Sequence, residues 1–77
     1  MHKLAESRLL AGNIYGDSRT GEYIYLPGSE LDADEPMLVY ENNGTRKDIA
    51  MEEALRIIEK RSLKPAVHPV LGKNTFH

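Results

Sequence analysis

The chain has 77 residues, a formal net charge of −2 and no cysteine. That length fits one domain with a small core, and the lack of cysteine excludes disulfides, zinc–thiolate sites and a thiol nucleophile. We therefore expect a protein of the reducing cytoplasm. We expect neither a signal peptide nor a membrane-spanning helix, because no apolar run approaches the about 20 residues that a bilayer requires.

The first part of the chain predicts a β-hairpin after an ambiguous start. Residues 2–8 fit either a short helix or the beginning of a strand, and a β pattern runs from Leu9 to Tyr15. Glycine, Asp and Ser between residues 16 and 21 predict a turn, and residues 22–26 are rich in strand-forming side chains.

A loop over residues 17–20 of this hairpin places Ile14 near Tyr23. One face of the predicted hairpin then carries Leu10, Gly12, Ile14, Tyr23 and Tyr25, and the other carries Ala11, Asn13, Tyr15, Glu22, Ile24 and Leu26.

The charge is unevenly distributed along the chain. Residues 29–43 carry five acids and no base, whereas residues 44–77 sum to +3. We interpret residues 29–36 as a solvated acidic loop, with a binding edge for a basic partner as the alternative. A calcium loop starting at Asp32 is excluded, because Met37 and Asn43 occupy the positions that require Gly and Glu.

The second half predicts a hairpin and one helix. Residues 37–41 form the third strand, Asn-Gly at 43–44 predicts a tight turn, and a short fourth strand occupies residues 45–49. Apolar residues then follow helical spacing over residues 49–62, with Asp48 as the predicted N-cap. Prolines at 65 and 69 end the pattern, so residues 63–77 predict a flexible tail.

Together these elements predict an α+β fold, in which a small antiparallel meander of three or four strands packs on one C-terminal amphipathic helix. The predicted domain covers residues 1–62. Its predicted core consists of Leu10, Ile14, Ile24, Leu26, Leu38, Tyr40, Met51, Leu55 and Ile58.

The chemistry-bearing residues do not predict catalysis. No serine has a nucleophile-elbow context, and no glycine-rich segment completes a phosphate-binding loop. The histidines, His2, His68 and His77, lack metal-ligand spacing. We therefore expect no enzyme activity, no cofactor and no metal site.

Tyrosine and basic residues indicate a binding surface instead. Tyrosine offers a large rigid area with a polar tip and is enriched at interfaces. The predicted partner-binding residues are Tyr15, Arg19, Tyr23, Tyr25, Arg46 and Lys47. Burial of the tyrosines at the edge of the core is the alternative interpretation.

These features predict a small non-enzymatic regulator or inhibitor that docks on a larger cytoplasmic assembly. Small chains of this kind are common among phage and mobile-element proteins that bind host machinery, such as RNA polymerase, and so regulate transcription. A single-strand nucleic-acid binder that uses Tyr23, Tyr25, Arg46 and Lys47 is one alternative, and a structural or assembly subunit is another. Duplex DNA is not an expected partner, because the chain has no strong excess of Lys and Arg. A membrane is not expected either, because no apolar run could span one.

Overall fold

The computed structural model describes residues 3–28 and 34–69. It confirms the predicted α+β class: helices pack on one antiparallel sheet of five strands in the order β4-β3-β2-β1-β5. In chain order the elements are α1 (Lys3–Leu10), β1 (Tyr15–Asp17), β2 (Glu22–Tyr25), β3 (Met37–Asn42), β4 (Thr45–Ala50), α2 (Met51–Arg61) and β5 (Lys64–Pro65).

The N-terminal segment is a helix, and the strand predicted from Leu9 begins only at Tyr15. Leu9 lies fully buried on α1, whereas Leu10, a predicted core residue, is 42% exposed. The amide of Ala11 donates to the carbonyl of Ser7, and the amide of Asn13 donates to that of Arg8, so the helix closes in a compact turn. The pair Leu9-Leu10 was compatible with both structures, and packing against the sheet decided between them.

The first hairpin has the predicted faces but a different register. Tyr15 pairs with Ile24 and Gly16 with Tyr23, so the predicted pairing of Ile14 with Tyr23 is wrong by two residues. A shift of two residues preserves side-chain alternation. Tyr15 and Ile24 therefore share the helix-facing side, and Tyr23 lies on the opposite side.

The second hairpin turns at Asn43 and Gly44, as the sequence predicts. Both residues have positive φ, 52° and 88°, which is the backbone that a two-residue hairpin turn requires. The following strand continues to Ala50, so α2 begins at Met51, two residues later than the expected start at residue 49. Ala50 is therefore the N-cap residue, without a side-chain cap, and Asp48 pairs with Val39 in the sheet instead of capping α2.

The inner face of the sheet, defined as the face that packs against the helices, holds the larger core. Its fully buried side chains include Leu9 of α1 and Ile24 and Leu38 of the sheet, and Ala54 and Ile58 of α2 cover them. Tyr40, Met51 and Leu55 from the predicted core pack around this cluster. The periodicity of α2 thus identified the correct helix face.

The outer face of the sheet is also covered. Ile14, Tyr23 and Tyr25 form a second buried cluster, and Ala66 packs against it. Leu63 is 5% exposed, β5 pairs with β1, and His68 is 4% exposed. Packed structure therefore extends to His68, six residues beyond the boundary predicted at residue 62, whereas residues 70–77 of the predicted tail lie outside the described residues.

We expect residues 63–69 to contribute measurably to stability. A chain ending at Ser62 should be less stable than one ending at Pro69 by at least about 2 kcal/mol, because it loses the burial of Leu63 and the cover over the outer face. Urea unfolding of the two chains, followed by circular dichroism, measures the difference. Equal unfolding midpoints and slopes would contradict this packing role.

Candidate interaction groove

An open groove of about 610 Å³ lies where α1, the segment before β3 and the start of α2 meet. We define its apolar lining as Leu10, Pro36, Met37, Ala50 and Met51, and its acidic lining as Glu6, Asp34, Glu35 and Glu52. Glu6 and Leu10 are four residues apart on α1, so they lie on the same side of that helix. Residues distant in sequence thus form one concave surface.

The apolar lining contains two of the large hydrophobic side chains that remain exposed. Leu10 is 42% exposed and Met37 is 40% exposed. Two others among the described residues, Leu4 at 62% and Val67 at 61%, do not line the groove. Single exposed hydrophobic residues are ordinary, but two that share a concave surface indicate a place where a partner can bury area.

The acidic lining gives the groove one sign of charge. Its four carboxylates come from α1, the segment before β3 and α2, and none of the described residues that line the groove is basic. Among the described residues, none of the four carboxylates forms a salt bridge. Because these charges are not neutralised within the described chain, they remain available to a cationic ligand.

The structure does not gather the tyrosines predicted to bind a partner into an exposed surface. Tyr15 lies in the inner core at 5% exposure, and Tyr23 and Tyr25 lie in the outer cluster at 5% and 6%. The alternative interpretation, burial at the core, describes all three. A stacking platform for nucleic-acid bases needs exposed ring faces, which these side chains do not provide.

The three predicted basic residues are exposed but dispersed. Arg19 lies in the β1–β2 turn, where its guanidinium contacts Asp17 at 3.3 Å. The hydrogen bonds from Arg19 lower the pKa of the Asp17 carboxyl. Arg46 and Lys47 are neighbours on β4 and point to opposite faces of the sheet, opposite Glu41 and Tyr40 respectively. No common surface unites the six predicted residues.

His68 closes the outer face by contacts with β2 and β3. Its ring lies 4.7 Å from that of Tyr23 and 5.7 Å from that of Tyr25, measured between centroids. Its Nε2 lies 3.1 Å from Oε1 of Glu41, and the Tyr25 hydroxyl donates to the same oxygen at 3.4 Å. Burial, followed by the negative charge of Glu41, raises the pKa of Tyr25. This cluster fastens residues 66–68 to the sheet.

Glu22 is the buried carboxylate of the inner face, only 2% exposed. It accepts hydrogen bonds from the Tyr40 hydroxyl at 2.7 Å and the Thr20 hydroxyl at 2.9 Å. The Arg61 guanidinium forms a salt bridge at 3.1 Å. Burial alone would raise the pKa of Glu22, but these hydrogen bonds and the cation outweigh it and lower that pKa. The network connects β2 and β3 to the end of α2.

Most of the groove is not predictable from the sequence, because its residues come from separate segments. The acidic run that includes Asp34 and Glu35 was visible, and a binding edge for a basic partner was the alternative interpretation of it. Glu6 and Leu10 could have been recognised by their four-residue spacing once α1 was assigned. No local signal in the sequence places Met37 beside them.

Comparisons with protein-family models, with curated proteins and with solved structures found no match. Within residues 3–28 and 34–69, no helix has both the length and the apolarity to span a membrane. The same residues contain no group of three side chains placed to hold a metal ion. The groove is therefore interpreted from its own geometry and charge.

Proposed function

We propose that this protein is a small non-enzymatic regulator that binds a larger protein assembly through its acidic groove. The observation that carries this proposal is the pairing of exposed Leu10 and Met37 within one concave surface. Burial of such side chains by a partner contributes about 25 cal/mol for each Å² removed from water. Regulation then follows from occupying a surface of the partner.

The proposed setting is the cytoplasm, and the proposed partner is a large host assembly such as RNA polymerase. Support for the setting comes from the absence of cysteine, which suits a reducing compartment. A phage or mobile-element protein that inhibits or redirects transcription is the kind of regulator we propose. Four carboxylates in the groove disfavour the phosphate backbone of nucleic acids as the occupant.

A capture experiment with paired variants tests this function. The tagged chain, its Leu10→Ser/Met37→Thr variant and its Leu4→Ser/Val67→Thr variant are each incubated with lysate of the native host. Both double variants replace two exposed apolar side chains, but only the first pair lies in the groove. We expect the groove variant to capture about ten-fold less partner protein than the original chain does. The control variant should capture the same amount as the original chain.

The fold of each variant is checked by its amide NMR spectrum before capture. Equal capture by both variants, each with an intact spectrum, would contradict binding through the groove. Loss of capture in the control variant alone would place the binding surface at Leu4 or at Val67 instead.

A further inference from the structure

Resting on the proposed function, we infer that the occupant of the groove is a positively charged protein segment that carries apolar side chains. The segment places Lys or Arg beside the acidic lining and its apolar side chains against Leu10 and Met37.

Charge complementarity selects the sign of the occupant. Glu6, Asp34, Glu35 and Glu52 reach the groove from three separate parts of the chain, and none of them has a cationic partner among the described residues. A cleft lined by one sign of charge raises the local concentration of opposite charges and speeds their association. The same carboxylates repel phosphate groups and anionic membrane surfaces.

The apolar lining of the groove favours an occupant that carries hydrophobic side chains over a purely basic segment. The groove volume of about 610 Å³ falls within the roughly 300–1,000 Å³ that is usual for ligand clefts. Met37 and Met51 contribute unbranched thioether side chains, which adapt to the shape of a bound segment. Methionine-lined grooves with acidic surroundings are suited to amphipathic basic segments.

The free edge of the sheet is a weaker candidate for the same partner. β4 ends the strand order on one side, and its residues Arg46, Lys47 and Asp48 are all exposed. Charged side chains on an edge strand disfavour the addition of a further strand. An occupant of the groove needs no such pairing, because side-chain contacts alone hold it.

Titration calorimetry with two synthetic peptides tests the inference. The first peptide has about 15 residues, with Leu and Lys at amphipathic helical spacing, and the second replaces every Lys with Glu. We expect the Lys peptide to bind the full-length chain and the Glu peptide not to bind. Binding of the Lys peptide should weaken as salt rises from about 20 to about 300 mM, because salt screens exposed charges.

A matched pair of charge variants assigns the binding to the groove. Asp34→Asn/Glu52→Gln removes two charges from the acidic lining, and Asp48→Asn/Glu53→Gln removes the same two charge types from exposed positions outside it. We expect the first variant to weaken binding of the Lys peptide about five-fold. The second should stay within about two-fold of the original chain.

The outcomes separate this inference from the proposed function. Equal affinity of the Lys peptide for both charge variants, or equal binding of the Lys and Glu peptides, would overturn the inference. Sedimentation that reveals self-association abolished by Asp34→Asn/Glu52→Gln would also overturn it, because a second copy would then be the occupant. The proposed function fails separately, if capture from lysate does not depend on Leu10 and Met37.

Discussion

Replacing Glu22 with Ala should lower the free energy of unfolding by about 2–3 kcal/mol. The substitution leaves the half-buried hydroxyl of Tyr40 without the carboxylate that accepts its hydrogen bond, which is costly. The exposed hydroxyl of Thr20 keeps its hydrogen bond to the Asp17 carbonyl. Arg61 also loses its ion pair, but its half-exposed guanidinium regains water, so the lost Tyr40 hydrogen bond and the lost packing of the buried Glu22 side chain account for most of the effect. Urea unfolding measures the effect, with exposed Glu53→Ala as the control.

The same network predicts how stability depends on pH. Because the pKa of Glu22 is lower in the folded chain than its ordinary value of 4.5, its stabilising contribution is present above that value. It is lost as the pH falls through the folded pKa. Stability of Glu22→Gln should therefore decline less steeply on acidification than that of the original chain. Parallel declines in the two proteins would contradict the assignment of a lowered pKa to Glu22.

Replacing Tyr23 with Ala should cost about 3 kcal/mol or more. The ring is 5% exposed, and removal of a buried aromatic side chain leaves a cavity that its neighbours fill only partly. A Cβ on Gly16 would clash with Cδ1 of Tyr23, so this ring occupies space that only glycine leaves free. The ring of His68 also packs against the Tyr23 ring, with 4.7 Å between the two centroids.

Tyr23→Phe is the matched control for this prediction, because it keeps the ring. The Tyr23 hydroxyl has no hydrogen bond with a described residue, so we expect the loss for Tyr23→Phe to stay below about 1 kcal/mol. Urea unfolding measures both variants. An unchanged unfolding midpoint for Tyr23→Ala would contradict the burial of this side chain and would support the exposed binding surface that the sequence predicts.

The sequence was most informative where one local pattern had one structural solution. Helical spacing identified α2, and the Asn43-Gly44 turn fixed the second hairpin. Asp48 was misassigned as a cap because its side chain is equally suitable at an exposed strand position. The pair Leu9-Leu10 contained no local preference strong enough to distinguish a helix from a strand, so α1 depended on tertiary packing.

The burial of the tyrosines predicted to bind a partner depends on contacts between segments that are distant in sequence, which no local pattern contains. Tyr23 and Tyr25 alternate with inner-face residues, which is the pattern expected of an antiparallel sheet with one face exposed to solvent. Ala66 and His68 then pack on the outer face against them. Prolines at 65 and 69 suggested a tail, yet Pro65 pairs opposite Tyr15 at the edge of the sheet, a position where a missing amide proton is tolerated.

The most direct test of binding through the groove is an amide NMR titration of the labelled chain with the captured partner protein. We expect the resonances of Glu6, Leu10, Met37 and Glu52 to shift or broaden first, whereas those of Arg19, Arg46 and Lys47 stay unchanged. Shifts confined to Arg19, Arg46 and Lys47 would contradict it, because the partner would then bind at the β1–β2 turn or along β4.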